Sequence, residues 1–416
     1  MSLDAKRLRL SRRILLESAL GLGSASLLVE PGTLSSWLSG LGGAARAESE
    51  LAALLEAAPK ARFWTSTASP TANCQSCHVP SEIGKATAHE HGKVLIRCLL
   101  CAHSCVLAEG ERGMCRARIH LKGELRTLVW GRPMAIQVDP IEKKPFYHFL
   151  PGAQAYSLAT SGCPLRCKFC QNWEISQARP EDYDSPVRKP DELVAAAAGK
   201  KAQVIAFTYN EPTVFAEYLL EIAQAARKRG VRSVLISCGY MQEEPLAEMC
   251  QVLSAIKVDL KGYSAEFYKS VCGAELAPVL RSIKQIARSK VHLELVNLVV
   301  PSLNDSEKAL GELIRWVAGE LGPDVPVHFT RFHPDYQLPN LSPTPVTRLE
   351  RARDLALRQG LRYAYVGNVP GHPGNSTYCP KCKEVVIERS HFFVSANRLQ
   401  KGRCPSCQEP VAGVWA

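Results

Sequence analysis

A chain of 416 residues, 46% hydrophobic and 22% charged, is ordinary for a globular protein and long enough for two or three domains with ample core. Its net charge is +11, but the excess is spread out and no dense Lys/Arg stripe is interleaved with aromatics, which argues against a nucleic-acid partner. Sixteen cysteines are the unusual number; thirteen fall in four groups, 74/77, 98/101/105/115, 163/167/170 and 379/382/404/407, and such spacing in an enzyme-sized chain points to metal rather than disulfides.

Residues 1–47 open with Lys6, Arg7 and Arg9, then the pair Arg12-Arg13, a weakly apolar stretch to about Val29 and the small-residue site Ala45-Arg46-Ala47. The paired arginines resemble a twin-arginine (Tat) export signal, a route for proteins already folded around their cofactors. Against this, Glu17 interrupts the apolar stretch. No later run reaches about eighteen apolar residues, so no transmembrane helix is expected after the signal.

Residues 48–97 read as a linker, with an alanine-rich helix (Leu51 to Ala61) and then Thr/Ser/Pro- and His-rich sequence. It contains Cys74-Gln-Ser-Cys77-His78, whose spacing suits c-type haem attachment, zinc, an iron–sulfur ligand pair, or no metal. Residues 98–150 form a cysteine-rich region with short strands such as Leu125 to Trp130. There Cys98, Cys101, Cys105 and Cys115 supply four ligands, for zinc or for an auxiliary, fully ligated iron–sulfur cluster; the spacing does not separate the two.

The pattern changes at about residue 151. Ala155–Thr160 reads as a strand, Ser161-Gly162 turns the chain, and Cys163-Pro-Leu-Arg-Cys167-Lys-Phe-Cys170 follows. Three thiolates on one short loop can hold three irons of a [4Fe–4S] cube and leave the fourth iron open. Strands are expected at Gln203–Thr208, Ser233–Ser237, Ala255–Leu260, His292–Val300, Val327–Phe332 and Tyr363–Val366. Helices are expected after Pro212 and at about 243–253, 276–289, from a cap at Asn304 with Glu307, and at 347–359. About six βα units and an extra strand imply parallel strands closing a full or partial barrel, with functional residues at the strands' carboxyl ends.

Those ends carry several candidates. Asn210 and Glu211 follow the second strand, and Ser237 with Cys238 and Gly239 ends the third. Asp259 and Lys261, two apart and so on one face, end the fourth, either as an ion pair or as contacts to substrate and cofactor. Glu294 and Asn297 stand on the fifth, and His333 and His372 on later loops are candidates for acid–base work or substrate contact. Scattered Cys238, Cys250 and Cys272 read as buried small hydrophobes. Beyond residue 371, Cys379-x₂-Cys382 and Cys404-x₂-Cys407 frame the β-branched runs Val385–Ile387 and Phe392–Val394, a zinc-ribbon pattern with structural zinc.

Three stretches, Asp139-Pro-Ile-Glu-Lys-Lys-Pro-Phe-Tyr-His148-Phe149, Cys163 through Gln177, and Val366 through Gly371, together resemble the AmmeMemoRadiSam-system radical S-adenosylmethionine (SAM) enzymes, relatives of pyruvate formate-lyase activating enzyme. The resemblance covers roughly residues 94–380. It implies an α/β fold, a partial (β/α)6 barrel over 151–370 between the cysteine-rich region and a zinc-ribbon-like module at 371–416. It implies a SAM-cleaving [4Fe–4S] cluster on Cys163, Cys167 and Cys170, cofactor contacts from Asn210, Glu211 and Ser237, and catalytic contacts from Asp259 and Lys261. The 5′-deoxyadenosyl radical so formed would take hydrogen from a substrate protein or small molecule. A flavodoxin- or ferredoxin-like electron donor and Memo-type and AMMECR-type proteins are the implied partners. The Tat-like signal suggests a periplasmic or exported protein, whereas dependence on SAM suggests the cytoplasm. The rival reading is an exported iron–sulfur or haem electron-transfer protein without SAM chemistry, but a carrier needs neither an open iron nor polar residues on several strand ends.

Overall fold

The computed structural model describes residues 49–67 and 94–416. The expected export signal and the Cys74-Cys77-His78 motif lie outside the described residues. The chain divides after Ala53, and the elements below belong to the unit that begins at Leu54. Among the described residues no helix is long and apolar enough to cross a membrane.

Ahead of the main sheet, β1 (Trp64–Ser66), β2 (Ile96–Cys98) and β3 (Val106–Leu107) form a small antiparallel sheet, and β4 (Arg118–Leu121) pairs with β5 (Glu124–Thr127) in a hairpin. The main sheet has eight strands: β6 (Ala135–Pro140), β7 (Gln154–Ala159), β8 (Val204–Phe207), β9 (Arg232–Ser237), β10 (Ala255–Asp259), β11 (His292–Val299), β12 (Val327–Arg331) and β13 (Ala364–Gly367). They lie side by side in chain order. Every pair from β7 onward is parallel, and β6 runs antiparallel along one edge. The helices that return the chain are α1 (Pro190–Gly199), α2 (Ala216–Lys228), α3 (Glu243–Val252), α4 (Leu276–Ala287), α5 (Glu307–Glu320) and α6 (Val346–Arg358). The strand–helix alternation is as expected, and α1 is a sixth helix beyond the five expected. In hydrogen bonding the sheet is open, with β6 and β13 at its edges.

Local chemistry explains these elements. The Val-Ile-Ala-Phe run of β8 is buried throughout, as a parallel strand covered on both faces requires. Helix α2 buries Leu219, Ile222, Ala223 and Ala226 along one stripe, and Gly230 in a left-handed conformation follows its end. The cap of α5 differs from expectation. Ser306 Oγ accepts the bond from the Ala309 amide. Asn304 is drawn away by its neighbours instead: its Oδ1 accepts from Val300 N at 2.7 Å and its amide donates to Lys261 O at 2.7 Å.

The Asp139–Phe149 stretch folds across one face of the sheet. Ile141, Phe146 and Phe149 pack with Ala155, Val204, Ala206, Val234, Ile236 and Ala255, and each buried Phe contributes about 1.5–3 kcal/mol. Beyond β13, β14 (Thr377–Tyr378), β15 (Val385–Ser390) and β16 (Phe393–Asn397) form an antiparallel sheet carrying the last four cysteines. It is tied to the main sheet. Buried Arg389 on β15 donates to Tyr147 O and, at 2.8 Å, to Thr377 Oγ1, and it is ion-paired with buried Glu142. The tail docks as well, with Val414 N donating to His148 O and Leu150 N to Val414 O, both at 2.8 Å.

Candidate active site at the carboxyl end of the parallel sheet

The three-cysteine loop leaves the carboxyl end of β7. Gly162 makes the turn possible: it has φ +92°, and a Cβ there would stand 2.4 Å from Cys115 O, so no side chain fits. The loop is pinned along its length. Arg166 N donates to Cys272 O at 2.8 Å, Lys168 N to Val271 O at 3.0 Å, and Gln337 N to Lys168 O at 3.0 Å. The Arg166 guanidinium donates to Cys163 O at 2.8 Å and to Leu165 O at 3.0 Å.

Cys167 is buried, and Cys163 and Cys170 are half-buried. Burial pushes the Cys163 thiol upward, helped by the Glu211 carboxylate, and burial does the same to Cys170. Cys167 goes the other way. The Cys272 thiol donates a hydrogen bond to it, and together with the Lys261 ammonium this outweighs burial and holds its pKa down. Cys272 is fully buried in the core, as expected, and there it adjoins Cys167.

Asn210 and Glu211 hold this loop to the adjoining strands. The Asn210 amide donates to Thr160 O at 2.8 Å and to Gly162 O at 2.7 Å. Glu211 is expected to contact the cofactor. The structure shows it buried, with Oε1 accepting from Thr213 N at 3.1 Å, Thr213 Oγ1 at 2.5 Å and Ser237 Oγ at 2.8 Å, and Oε2 from Cys238 N at 2.6 Å. Four bonds use about all the lone pairs of a carboxylate. Glu211 and Ser237 thus fasten the end of β9 to the turn after β8.

Asp259 and Lys261 form the ion pair that was one of their two expected arrangements, with Lys261 Nζ 2.9 Å from Asp259 Oδ2. The other oxygen of Asp259 is held by Lys257, which sequence reading passed over although it lies two residues earlier on the same face of β10. Burial works to raise the Asp259 pKa, but the two ammonium groups outweigh it and hold the carboxyl at about 2. Lys261 Nζ also lies 5.9 Å from the centre of the Phe169 ring, inside the cysteine loop. Asn297 and Asn304 fix the Lys261 backbone by donating to its carbonyl at 3.3 and 2.7 Å. From the other side, Asp139 accepts from Lys143, Lys144 and the Tyr209 hydroxyl at 2.8, 2.6 and 2.9 Å.

Glu294 is the buried centre of a second network. It accepts from the amides of Tyr147 and His148 and meets His292 Nε2 at 3.0 Å and His328 Nε2 at 2.7 Å. This places Glu294 among the contacts that seat the Asp139–Phe149 stretch. His372 serves its own turn: Nδ1 accepts from Gly374 N at 2.9 Å and Nε2 meets Glu350 Oε1 at 3.1 Å. His333 is exposed, with Nδ1 3.0 Å from Pro334 O. Neither histidine joins the candidate site through these contacts.

None of the described cysteines forms a disulfide. Cys379, Cys382, Cys404 and Cys407 bring their sulfurs within 4.8 Å of one another, with the pairs 379/407 and 382/404 at 3.5 and 3.6 Å. That fits one tetrahedral metal ion, whose thiolates stand about 3.8 Å apart for a metal–sulfur bond of about 2.3 Å. The three-cysteine loop suits a different guest. It offers three thiols, a cation and a thiol donor beside the middle one, and no fourth cysteine of its own, a donor set that fits an anionic iron–sulfur cluster with one iron left for another ligand.

Residues 157–316 match the profile of the Radical SAM superfamily. The chain is 42% identical to uncharacterized protein MJ0808 of Methanocaldococcus jannaschii over 76% of its own length and 95% of that protein's. It is 24% identical to the pyruvate formate-lyase-activating enzyme of Staphylococcus epidermidis over 53% of its length and 92% of that protein's. Among solved structures, a radical SAM methyltransferase from Sphaerobacter thermophilus aligns with a TM-score of 0.40 at 18% identity, covering 53% of this chain and 67% of that one.

Proposed function

The chain belongs to the radical SAM superfamily and is an enzyme of that class, and from that premise we propose that it cleaves SAM reductively at the Cys163–Cys170 loop to take a hydrogen atom from a substrate protein or small molecule. When bound there, a [4Fe–4S] cluster supplies the electron that breaks the sulfonium carbon–sulfur bond, and the deoxyadenosyl fragment carries the reactivity to the substrate. Cys163, Cys167 and Cys170 are the ligands. The observation that carries the reading is their setting: a pinned three-thiol loop at a parallel-strand end, with Lys261 and Asp259 converging on it from β10.

The chain's own residues orient and exclude. The Lys257–Asp259–Lys261 array sets fixed charges beside the loop, where Lys261 is suited to face a carboxylate and Asp259 an ammonium group of SAM. Asn210, Glu211 and Ser237 act one step back, by keeping the strand ends in place. In this reading the C-terminal four cysteines hold structural zinc. An external flavodoxin- or ferredoxin-like protein donates the electron, and Memo-type and AMMECR-type proteins are the candidate partners. The resemblance of Asp139–Phe149, Cys163–Gln177 and Val366–Gly371 to the AmmeMemoRadiSam enzymes supports those partners. The test is anaerobic incubation of the iron-loaded protein with SAM and dithionite, reading 5′-deoxyadenosine and methionine by mass spectrometry. Equimolar formation of the two is expected, and an intact cluster that yields neither overturns the proposal.

A further inference from the structure

Cys98, Cys101, Cys105 and Cys115 are not used by the reading above. Cys98 ends β2, Cys101 and Cys105 lie in the turn toward β3, and Cys115 comes from the loop before β4. The fold gathers them. Backbone bonds close the turn, with Cys98 N donating to Cys105 O at 2.9 Å and Ser104 N to Cys101 O at 3.1 Å. A Cβ on Gly113 would lie 3.7 Å from Cys105 Sγ and 3.8 Å from Cys115 Sγ, so those two sulfurs face one point. Met114 N donates to Cys105 Sγ at 3.4 Å, the kind of bond that supports a metal-bound thiolate. Cys98, Cys101 and Cys115 are only 6, 9 and 7% exposed; Cys101 feels the other three sulfurs electrostatically, and Cys98 feels those of Cys105 and Cys115. Buried Arg118, paired with Glu217, adds a positive charge felt by Cys98.

Two further observations identify the guest. Among the described residues, only the C-terminal cysteines form a group with all ligand atoms within 4.8 Å of one another. Cys98, Cys101, Cys105 and Cys115 form no such group, so their thiols spread wider than a single tetrahedral ion allows, as do thiolates standing roughly 6 Å apart on an iron–sulfur cube. The second observation is position. Cys115 O abuts Gly162, the residue before the first cysteine of the open loop. Arg166 donates both to Met114 O and to Cys163 O, and His103 Nε2 meets Pro164 O at 2.9 Å. Met114 itself is exposed beside the group.

We propose that Cys98, Cys101, Cys105 and Cys115 hold a second, fully ligated [4Fe–4S] cluster, a relay that passes single electrons from an external low-potential carrier protein to the open cluster on Cys163, Cys167 and Cys170. The carrier, a reduced ferredoxin- or flavodoxin-type protein, loses one electron. The relay cluster goes from its 2+ to its 1+ state, then returns to 2+ as the open cluster takes the electron, with no proton or bond change at the relay. The inference rests on the radical SAM reading for the relay's destination, but the presence of the cluster is read independently of SAM cleavage.

The experiment uses the full chain, purified anaerobically, with Cys163, Cys167 and Cys170 all changed to Ala. The expected result is about four irons per chain and, after dithionite reduction, a cubane electron paramagnetic resonance signal that SAM does not alter. A folded protein with no iron, or with a second zinc in addition to that of the C-terminal site, overturns the proposal. Should that variant fail to fold, Cys101→Ser with Cys105→Ser in the otherwise unchanged chain gives the converse: iron falls from about eight to about four and the remaining signal still shifts with SAM. Iron unchanged by that double substitution also overturns it. In the same variant, SAM cleavage driven by reduced ferredoxin is expected to fall at least tenfold while cleavage driven by dithionite persists; equal loss from both donors contradicts the relay role. Failure of the wild-type protein to form 5′-deoxyadenosine with dithionite counts against the radical reading alone.

Discussion

Two cysteine sites in this chain use the same ligand atom for opposite ends. At the C-terminus four sulfurs close on one point, 3.5 and 3.6 Å apart in pairs, with an antiparallel sheet behind them that packs through Tyr147, Tyr363 and Tyr365 onto the main sheet. On the 163–170 loop three sulfurs are held by a backbone bonded from several directions, and the space beside them is bordered by Lys261 and Asp259. In the proposed reading the first arrangement satisfies a metal completely and transmits that order to the fold. The second holds its ligands firmly and leaves one position to be filled from outside. Thiol number alone does not distinguish structure from reaction; the charged groups that neighbouring strand ends bring to the site do.

The contrast breaks most visibly at the closed site. Cys379→Ser with Cys404→Ser should release the zinc proposed there and unfold the C-terminal sheet, since binding to structural zinc sites is worth about 10 kcal/mol or more. Thermal unfolding and zinc analysis should show both losses together, whereas Cys163→Ala should change the melting temperature little. Next in size is Glu294→Ala, which leaves His292 and His328 without their shared carboxylate and frees the amides of Tyr147 and His148. A loss of about 3–5 kcal/mol in denaturant unfolding is expected for breaking such a buried array.

A smaller effect is set by His148. Its Nδ1–H donates to Ala412 O and its Nε2 receives the Tyr365 hydroxyl, both at 2.5 Å, so the ring is held neutral; burial drives its pKa down to about 3. The unfolded chain, with an ordinary histidine pKa near 6.5, binds the proton first as pH falls. His148 therefore removes about 1 kcal/mol of stability between pH 6.5 and 5.5 and continues to do so toward pH 3. Urea unfolding at those two pH values should show this slope, and His148→Gln should flatten it. Asp259, held at about 2, adds a contribution that is complete above pH 4 and lost only as pH falls toward 2. The smallest change should come from Cys272→Ala. If Cys272 is a hydrogen-bond donor to Cys167 and not a fourth ligand, iron content stays the same and only the cluster's potential shifts downward. Loss of iron would erase the distinction between open and closed sites.

Much of this was legible in the sequence. The parallel strands from 155 to 367 and most of the helices emerge within a few residues of expectation because buried parallel strands and amphipathic helices leave strong periodic patterns; α1, an alanine-rich helix with little amphipathic contrast, did not emerge. Strand β6 did not emerge, since only Asp139 of its Ala135–Pro140 stretch is buried and it ends in a proline. The three thiols, Asp259 and Lys261 were legible from spacing and strand position. Lys257 was not, because a lysine between Ile256 and Val258 gives no sign that it will share Asp259. The bonds of Glu211 to Ser237 and Cys238 were not legible, because they arise only when β8 and β9 lie side by side. The contact of Cys115 with Gly162 is likewise a tertiary fact, bringing together residues 47 positions apart with no pattern to announce it.

The central claim, that the loop at 163–170 is an open SAM-cleaving site, is tested most directly by a single comparison. Wild-type protein and Cys167→Ala, both loaded with iron under anaerobic conditions, are incubated with SAM and dithionite, and 5′-deoxyadenosine is counted by mass spectrometry. The account predicts steady formation from the wild type and none above background from Cys167→Ala, with the zinc proposed at the C-terminal site retained in both. Equal formation from the two proteins, or none from a wild type whose cluster is intact, would contradict it.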